Sequence, residues 1–147
     1  MISSDWFETW EILDRDNLLW RMHKACPEIL GDEGRYLNHP VCYDIPAFRQ
    51  EMRHGPPPWS IGLSKQFKKD TDGLDRKLLG RVLEFLAEVT TWPFPFKAQG
   101  DTFKPLHGEL EGCWRYRMGD TRLIIQPSPE TGLITVLTIG ARGSIYD

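Results

Sequence analysis

The sequence predicts an α+β fold with a small antiparallel sheet, and three observations lead to it. Apolar residues recur at helical spacing from residue 74 to residue 86, the pattern becomes strictly alternating after residue 113, and turn residues divide that last stretch into strands. Helices followed by an antiparallel meander are typical of α+β proteins. The 147 residues suffice for one ordinary domain, or for a small domain with an attachment.

A run of one glycine and three prolines at residues 55–58 is the strongest break in the chain. Consecutive prolines fix φ and remove backbone donors, so we predict a boundary there, between an N-terminal extension (residues 1–58) and a second domain (residues 59–147). The extension has 6 basic and 10 acidic side chains, a net charge of −4, and the second domain has 12 and 11, a net charge of +1. The overall charge of −3 therefore does not exclude a nucleic-acid partner for the second domain.

The extension is predicted to be mainly helical or irregular. Four large apolar side chains recur at spacings that place them along one stripe of a helix ending near Pro27. These are Trp6, Trp10, Leu13 and Trp20. The stripe either packs on the remainder of the chain or forms a surface for a separate partner.

The second domain is predicted to begin with a strand and two helices. Residues 59–63 are expected to form the strand, and a helix that carries Lys65, Lys68 and Lys69 follows from Ser64. The longer amphipathic helix stops before Pro93. Three strands are then expected, at residues 114–118, 121–126 and 133–139.

Arginines are concentrated on this meander. Arg115 and Arg117 are two apart on one strand and share a face, and the turn at residues 119–120 brings Arg122 close to Arg117. Guanidinium groups that converge in this way suit an RNA backbone, because each keeps its charge and donates paired hydrogen bonds to phosphate oxygens. The alternative is a set of solvated ion pairs. Its acidic members would be Asp120, Glu109 and Glu111.

Two motifs resemble the RelE/ParE superfamily of bacterial toxins from toxin–antitoxin pairs. They are K-x-L-x-G-x-L-x-G-x-W-R-x-R-x-G-D-x-R, from Lys104 to Arg122, and a closing I-G-x-R-x-x-x-Y that ends at Tyr146. The resemblance covers residues 59–147 and leaves the first 58 outside. It implies a RelE-like fold, in which two N-terminal helices pack on a small antiparallel sheet.

The resemblance also implies an activity and a site. RelE-like members are ribosome-dependent endoribonucleases (mRNA interferases), whereas ParE-like members inhibit DNA gyrase; an inactive or autoinhibited binding module is the remaining alternative. In the RelE-like reading, a ribose 2′-OH attacks the adjacent phosphate. The implied catalytic residues are Arg117, Arg122, Arg142 and Tyr146, and the implied RNA-binding residues are Arg115 and Lys104.

Partners and compartment follow from the same reading. A toxin of this kind pairs with a cognate antitoxin and acts on mRNA at the ribosome, without a cofactor. The acidic extension is a candidate for contact in cis with the toxin face. Three cysteines imply no disulfide framework, and the chain lacks a signal peptide or an apolar span, so we expect it to be cytoplasmic.

Two H-x-x-C pairs in the extension resemble the ligand spacing of a small zinc site. They are His23 with Cys26, and His39 with Cys42. The alternative is a core cysteine at the end of a helix together with unrelated loop histidines, and no metal is assigned.

Overall fold

The computed structural model describes residues 4–14 and 59–141. Its strands and helices confirm the predicted α+β class. The strands are β1 (Thr9–Leu13), β2 (Ser60–Ser64), β3 (Phe103–Pro105), β4 (Trp114–Met118), β5 (Thr121–Ser128) and β6 (Leu133–Ala141), and the helices are α1 (Lys65–Thr71) and α2 (Arg76–Val89). Short 3-10 turns lie at Ser4–Trp6 and Gly108–Leu110. Neither helix of the described ranges is long and apolar enough to cross a membrane.

The described residues divide into two compact units. The first comprises residues 4–12, 62–73 and 93–141, and contains α1 and most of the sheet; the second comprises residues 13, 14, 59–61 and 74–92, and contains α2. The predicted boundary after residue 58 adjoins residues outside the described ranges and stays a prediction. The predicted packing of two helices on the sheet also stays a prediction for α2.

The strands of the described residues form a six-stranded sheet, in the order β1-β2-β6-β5-β4-β3. The predicted meander is confirmed, because β4 pairs with β5 and β5 with β6, both antiparallel. Its first turn has Gly119 at φ 62°, a left-handed conformation that glycine adopts without strain. The short β3, an edge strand that contains Pro105, was not predicted. An edge tolerates proline because the missing donor faces no neighbour.

The predicted N-terminal helix is wrong for the described residues 4–13, which form a 3-10 turn and the edge strand β1. Tertiary pairing overrides the helical spacing: β1 lies beside β2, and just before it the carbonyl oxygen of Glu8 accepts a hydrogen bond from the Lys65 backbone, 2.9 Å away. The supposed stripe is split, since Trp6 and Leu13 are buried whereas Trp10 is exposed. The continuation of that helix toward Trp20 lies outside the described residues.

Side chains from the end of β2 and from α1 fix that helix to β6. The Ser64 hydroxyl caps α1 by accepting from the Phe67 backbone at 3.0 Å, and it donates to the Leu137 carbonyl at 2.6 Å. Near the other end of the helix, the Asp70 carboxylate accepts from the Ile139 backbone at 3.1 Å and from the Thr138 hydroxyl. The position of α1 on the sheet is therefore set by hydrogen bonds at both of its ends.

The two faces of the sheet are packed by different groups. An aromatic group covers one face, where Phe103 stacks on Trp114 at 4.7 Å between ring centroids and Phe96 contacts both rings. A buried cluster that includes Ile124 and Leu137 also contains Trp6 from the N-terminus. Trp6 thus joins the N-terminal residues to the core of the first unit.

The second unit is held by its own contacts. Asp75 caps α2 by accepting from the Leu78 backbone at 2.8 Å. Two carbonyls just after α2 accept hydrogen bonds from Trp59. The Trp92 carbonyl accepts from the indole Nε1 at 3.0 Å, and the Thr90 carbonyl accepts from the backbone N–H at 3.1 Å. Trp92 also packs edge-on against Phe85, with ring centroids 5.8 Å apart.

Candidate functional site

Arg117 and Arg122 lie directly opposite each other on β4 and β5, as the turn predicted. Residues opposed in an antiparallel pair project from the same face, so these two side chains are neighbours. Both guanidinium groups donate to one acceptor, the Gly119 carbonyl, from Arg117 Nε at 3.3 Å and from Arg122 Nη1 at 3.1 Å. The hairpin turn therefore aligns the two arginines.

The Asp101 carboxylate contacts three cations of the site, namely Arg115, Arg117 and Lys104. Arg115 Nη2 donates to Asp101 Oδ1 at 2.9 Å and to the Asp101 carbonyl at 2.7 Å, and Arg117 Nη1 donates to Oδ2. Lys104, which is opposite Arg115 in the β3–β4 register, has its Nζ 3.4 Å from Oδ1. Hydrogen bonds from Arg115 and Arg117 hold the pKa of Asp101 well below its usual range. Asp101 is thus ionised at neutral pH.

The cations of this site differ in their exposure. The side chains of Lys104 and Arg117 are 44% and 40% exposed, that of Arg115 is 7% exposed, and Arg122 is 3% exposed. The Nε of Arg115 is buried and has no hydrogen-bond acceptor among the described residues. Among these four cations, Arg117 and Lys104 are therefore accessible to solvent, whereas Arg115 and Arg122 are buried. We call Arg115, Arg117 and Arg122 the arginine cluster.

The ion-pair alternative holds in part, but with a different partner. Arg115 and Arg117 bond to Asp101 in the loop before β3, and Glu111 lies instead 3.4 Å from the Nδ1 of His107. No sequence pattern marked Asp101, because the residue lies 14 and 16 positions before its two arginine partners. A pairing that depends on how an irregular loop folds leaves no periodic signal in the sequence.

Arg142 and Tyr146, the other two predicted catalytic residues, lie outside the described residues. So do both H-x-x-C pairs, His23 with Cys26 and His39 with Cys42. In the part of the chain that the structure describes, no group of three or more potential ligands is placed to hold a metal ion. The site assignment as a whole stays a prediction.

Cys113 lies between the 3-10 turn at Gly108–Leu110 and β4, next to the candidate site in sequence. The residue is buried in the cluster that contains Trp6, and burial raises the pKa of its thiol to about 11. A neutral thiol is a poor nucleophile, so Cys113 belongs to the core and not to the chemistry of the site.

Solved structures that are similar to this chain include the following three. A chain of the toxin–antitoxin complex RelBE2 from Mycobacterium tuberculosis is 24% identical, with a TM-score of 0.48 over 58% of this chain and 92% of that chain. YafQ from E. coli strain BL21(DE3) is 18% identical, with a TM-score of 0.49 over 59% and 97%. Conserved hypothetical protein HP0892 from Helicobacter pylori is 26% identical, with a TM-score of 0.39 over 58% and 97%.

No protein-family model matches this chain, and neither does any curated protein. What the chain does is therefore inferred from its own residues.

Proposed function

We propose that this chain is the toxin of a bacterial toxin–antitoxin pair, and that it is an endoribonuclease of the RelE-like kind that cuts mRNA at the ribosome. The observation that supports this most directly is the pairing of Arg117 with Arg122 across β4 and β5 on one carbonyl. The exposed Arg117 guanidinium can donate to the oxygens of a phosphodiester and of the more highly charged transition state, and the buried Arg122 adds positive charge beside it.

The proposed reaction needs no cofactor. The ribose 2′-OH loses its proton to a base, its oxygen forms a bond to the adjacent phosphorus, and the bond from phosphorus to the 5′ oxygen breaks. The leaving oxygen takes up a proton, so the products are a 2′,3′-cyclic phosphate and a 5′-OH. Arg117 would bind the phosphate oxygens, and Arg122 would support it from the buried side.

Arg142 and Tyr146 complete the proposal from the sequence alone. Tyr146 would accept or orient the 2′-OH proton, and Arg142 would stabilise the leaving oxygen. A free tyrosine titrates near pH 10, so base catalysis at neutral pH requires nearby cations that lower the pKa of Tyr146. The neighbouring arginines are the candidates for that role.

Asp101 sets a condition on this proposal, because its carboxylate already bonds Arg117. An incoming phosphate has to replace that carboxylate on the exposed guanidinium, while the bond from Asp101 to the buried Arg115 can remain. When RNA is absent, the Asp101 carboxylate thus occupies the position on the Arg117 guanidinium that a phosphate would take. A separate antitoxin that presents carboxylates would bind the same guanidinium, in keeping with the proposed cognate partner.

The experiment compares the full chain with Arg117→Ala and with Arg81→Ala, an exposed arginine of the second unit, as the matched control. Each is added to a translating extract, and the 5′ ends of the mRNA are mapped. We expect cleavage within the translated region by the wild type and by Arg81→Ala. A loss on the order of a hundredfold or more is expected for Arg117→Ala, because the transition-state charge loses a donor.

The chemistry of the ends provides a further check. A cyclic phosphate on the upstream fragment supports 2′-OH attack, whereas a 5′-phosphate on the downstream fragment contradicts it. Tyr146→Phe in the same assay tests the residue outside the described range. Intact mRNA together with gyrase-dependent DNA breaks would replace the proposal with the ParE-like alternative.

A second candidate, a binding module without nuclease activity, is favoured by one observation. Arg122 is buried and Arg117 bonds to Asp101, so the arginine cluster is internally paired. In that case Asp101→Asn would leave mRNA intact in the translating extract. If Asp101→Asn cleaves mRNA faster than the wild type, the carboxylate competes with RNA, and the chain is not a binding module without nuclease activity.

A further inference from the structure

Three lysines lie on one side of the seven-residue helix α1, at positions i, i+3 and i+4. We call Lys65, Lys68 and Lys69 the lysine row; all three are exposed. Like charges at this spacing repel one another, and exposed lysines do not contribute to the core. Three clustered ammonium groups favour anionic partners, and a polyanion such as a phosphate backbone can meet all three.

Each lysine of the row has a partner from the N-terminal segment (residues 4–13). Lys65 Nζ lies 2.8 Å from Glu8 Oε2, Lys69 donates to the Asp5 carboxylate, and Lys68 Nζ lies 3.4 Å from the centre of the Trp10 ring. The hydrogen bond from Lys69 lowers the pKa of Asp5, and the one to Glu8 raises the pKa of Lys65. Two carboxylates and one ring face thus meet three ammonium groups one to one.

The N-terminal segment is also anchored on the face of the sheet that carries the arginines. Ile124 is directly opposite Arg115 in the β4–β5 register, so both project from one face. Trp6 is buried in the cluster that contains Ile124 and Leu137. A buried indole holds the segment in place, while its contacts with the lysine row are at the surface.

We propose that the lysine row is a second contact surface for the phosphate backbone of RNA, and that Asp5, Glu8 and Trp10 cover it in cis. The inference rests on the proposed function, because it takes RNA as the target. Exposed ion pairs contribute little to folding and weaken with salt, so RNA can displace the cover without unfolding the core. The chain would then carry its own competitor, held close by Trp6 at a high effective concentration.

The test uses the full chain and leaves the anchor intact, because removal of residues 4–13 would delete a strand and a core tryptophan. Asp5→Asn with Glu8→Gln removes two charges from the cover and preserves side-chain size. Glu84→Gln with Glu88→Gln on α2 is the matched control, since it removes two exposed charges elsewhere. Binding is measured by fluorescence anisotropy with a labelled single-stranded RNA of about twenty nucleotides, which spans more than one site of ordinary size.

The cover variant is expected to bind RNA more tightly than the wild type, on the order of tenfold at low salt, and the control is expected to bind nearly as the wild type does. The gain should vanish when all three lysines are changed to glutamine. Equal affinities for wild type and cover variant would overturn the inference, as would an equal gain in the control, which would reflect net charge alone. If no variant binds RNA, this inference is overturned as well, whereas the proposed function, cleavage at the ribosome, is decided separately by the mRNA cleavage assay.

Discussion

The arginine cluster and the lysine row are both basic, but they are paired in different ways. The arginine cluster meets one carboxylate from the same part of the chain, and two of its three side chains are buried. The lysine row is exposed and meets partners from about sixty residues away, at the N-terminus. Planar guanidinium groups lose less freedom per hydrogen bond than flexible lysines do, so the first arrangement is the better preorganised one.

The difference indicates two roles for basic residues on one scaffold. Preorganised donors that are already aligned suit a reacting phosphate, for which a small displacement costs a large factor in rate. Exchangeable exposed pairs suit a backbone contact that adds affinity without demanding exact geometry.

The largest effect is expected for Asp70→Ala, which removes one of the two attachments of the lysine-row helix to β6. The Asp70 carboxylate accepts from the Thr138 hydroxyl, the Ile139 backbone and Gln66 Nε2. Its removal leaves polar groups of β6 without an acceptor, and we expect the free energy of unfolding to fall by about 2–3 kcal/mol. Urea denaturation measures the change.

The control for Asp70 is Asp72→Ala, which removes an exposed carboxylate at the end of the same helix. It should change the free energy of unfolding by less than about 0.5 kcal/mol, as is usual for surface positions. If both variants are equally destabilised, the loss comes from the change in helix charge and not from the hydrogen bonds between Asp70 and β6.

A smaller loss is expected for Asp101→Asn, which weakens the pairing of the arginine cluster. Arg115 is buried and depends on this carboxylate, whereas Asp101 itself is mostly exposed. We expect the midpoint of thermal unfolding to fall by roughly 3–5 °C at neutral pH. Asp120→Asn, at the exposed turn between β4 and β5, is the matched control and should leave the midpoint unchanged within error.

The same variant has a defined pH dependence. The folded-state pKa of Asp101 lies below its unfolded value, so its stabilising contribution is complete above the unfolded pKa, near 4, and is lost as the pH falls toward the folded one. Wild type and Asp101→Asn should therefore differ by a constant amount from pH 5 to pH 8 and converge below about pH 4. A difference that disappears between pH 6 and pH 7 would mean that another group controls the cluster.

The meander was predictable because its signals are local. Strict alternation gives the strands, and the two-residue turn at residues 119–120 fixes the register, from which the opposition of Arg117 and Arg122 follows. The helix that follows Ser64 was predictable for the same reason, since its cap lies within the first turn. These elements carry the residues on which the proposed function depends.

The edges of the sheet were not predictable. The residues of β1 have a helical spacing of apolar side chains, and only the neighbouring β2 makes them a strand. A three-residue strand such as β3 is too short for a period to show. The role of Asp101 depends on the same irregular region, so the charges of the site were visible in the sequence but their partner was not.

The smallest effect is expected at the centre of the lysine row, where Lys68 lies over the Trp10 ring. Trp10→Leu keeps an apolar side chain but removes the ring, and the free energy of unfolding should fall by about 0.5 kcal/mol or less, because exposed cation–π pairs are weak. Trp10→Phe, which retains a ring face, should lose less still. The affinity for RNA should rise slightly in Trp10→Leu and hardly at all in Trp10→Phe, since only the first removes the ring that covers Lys68. If both variants gain the same affinity, the indole blocks RNA by its bulk, and the contact with Lys68 is not what covers the lysine row.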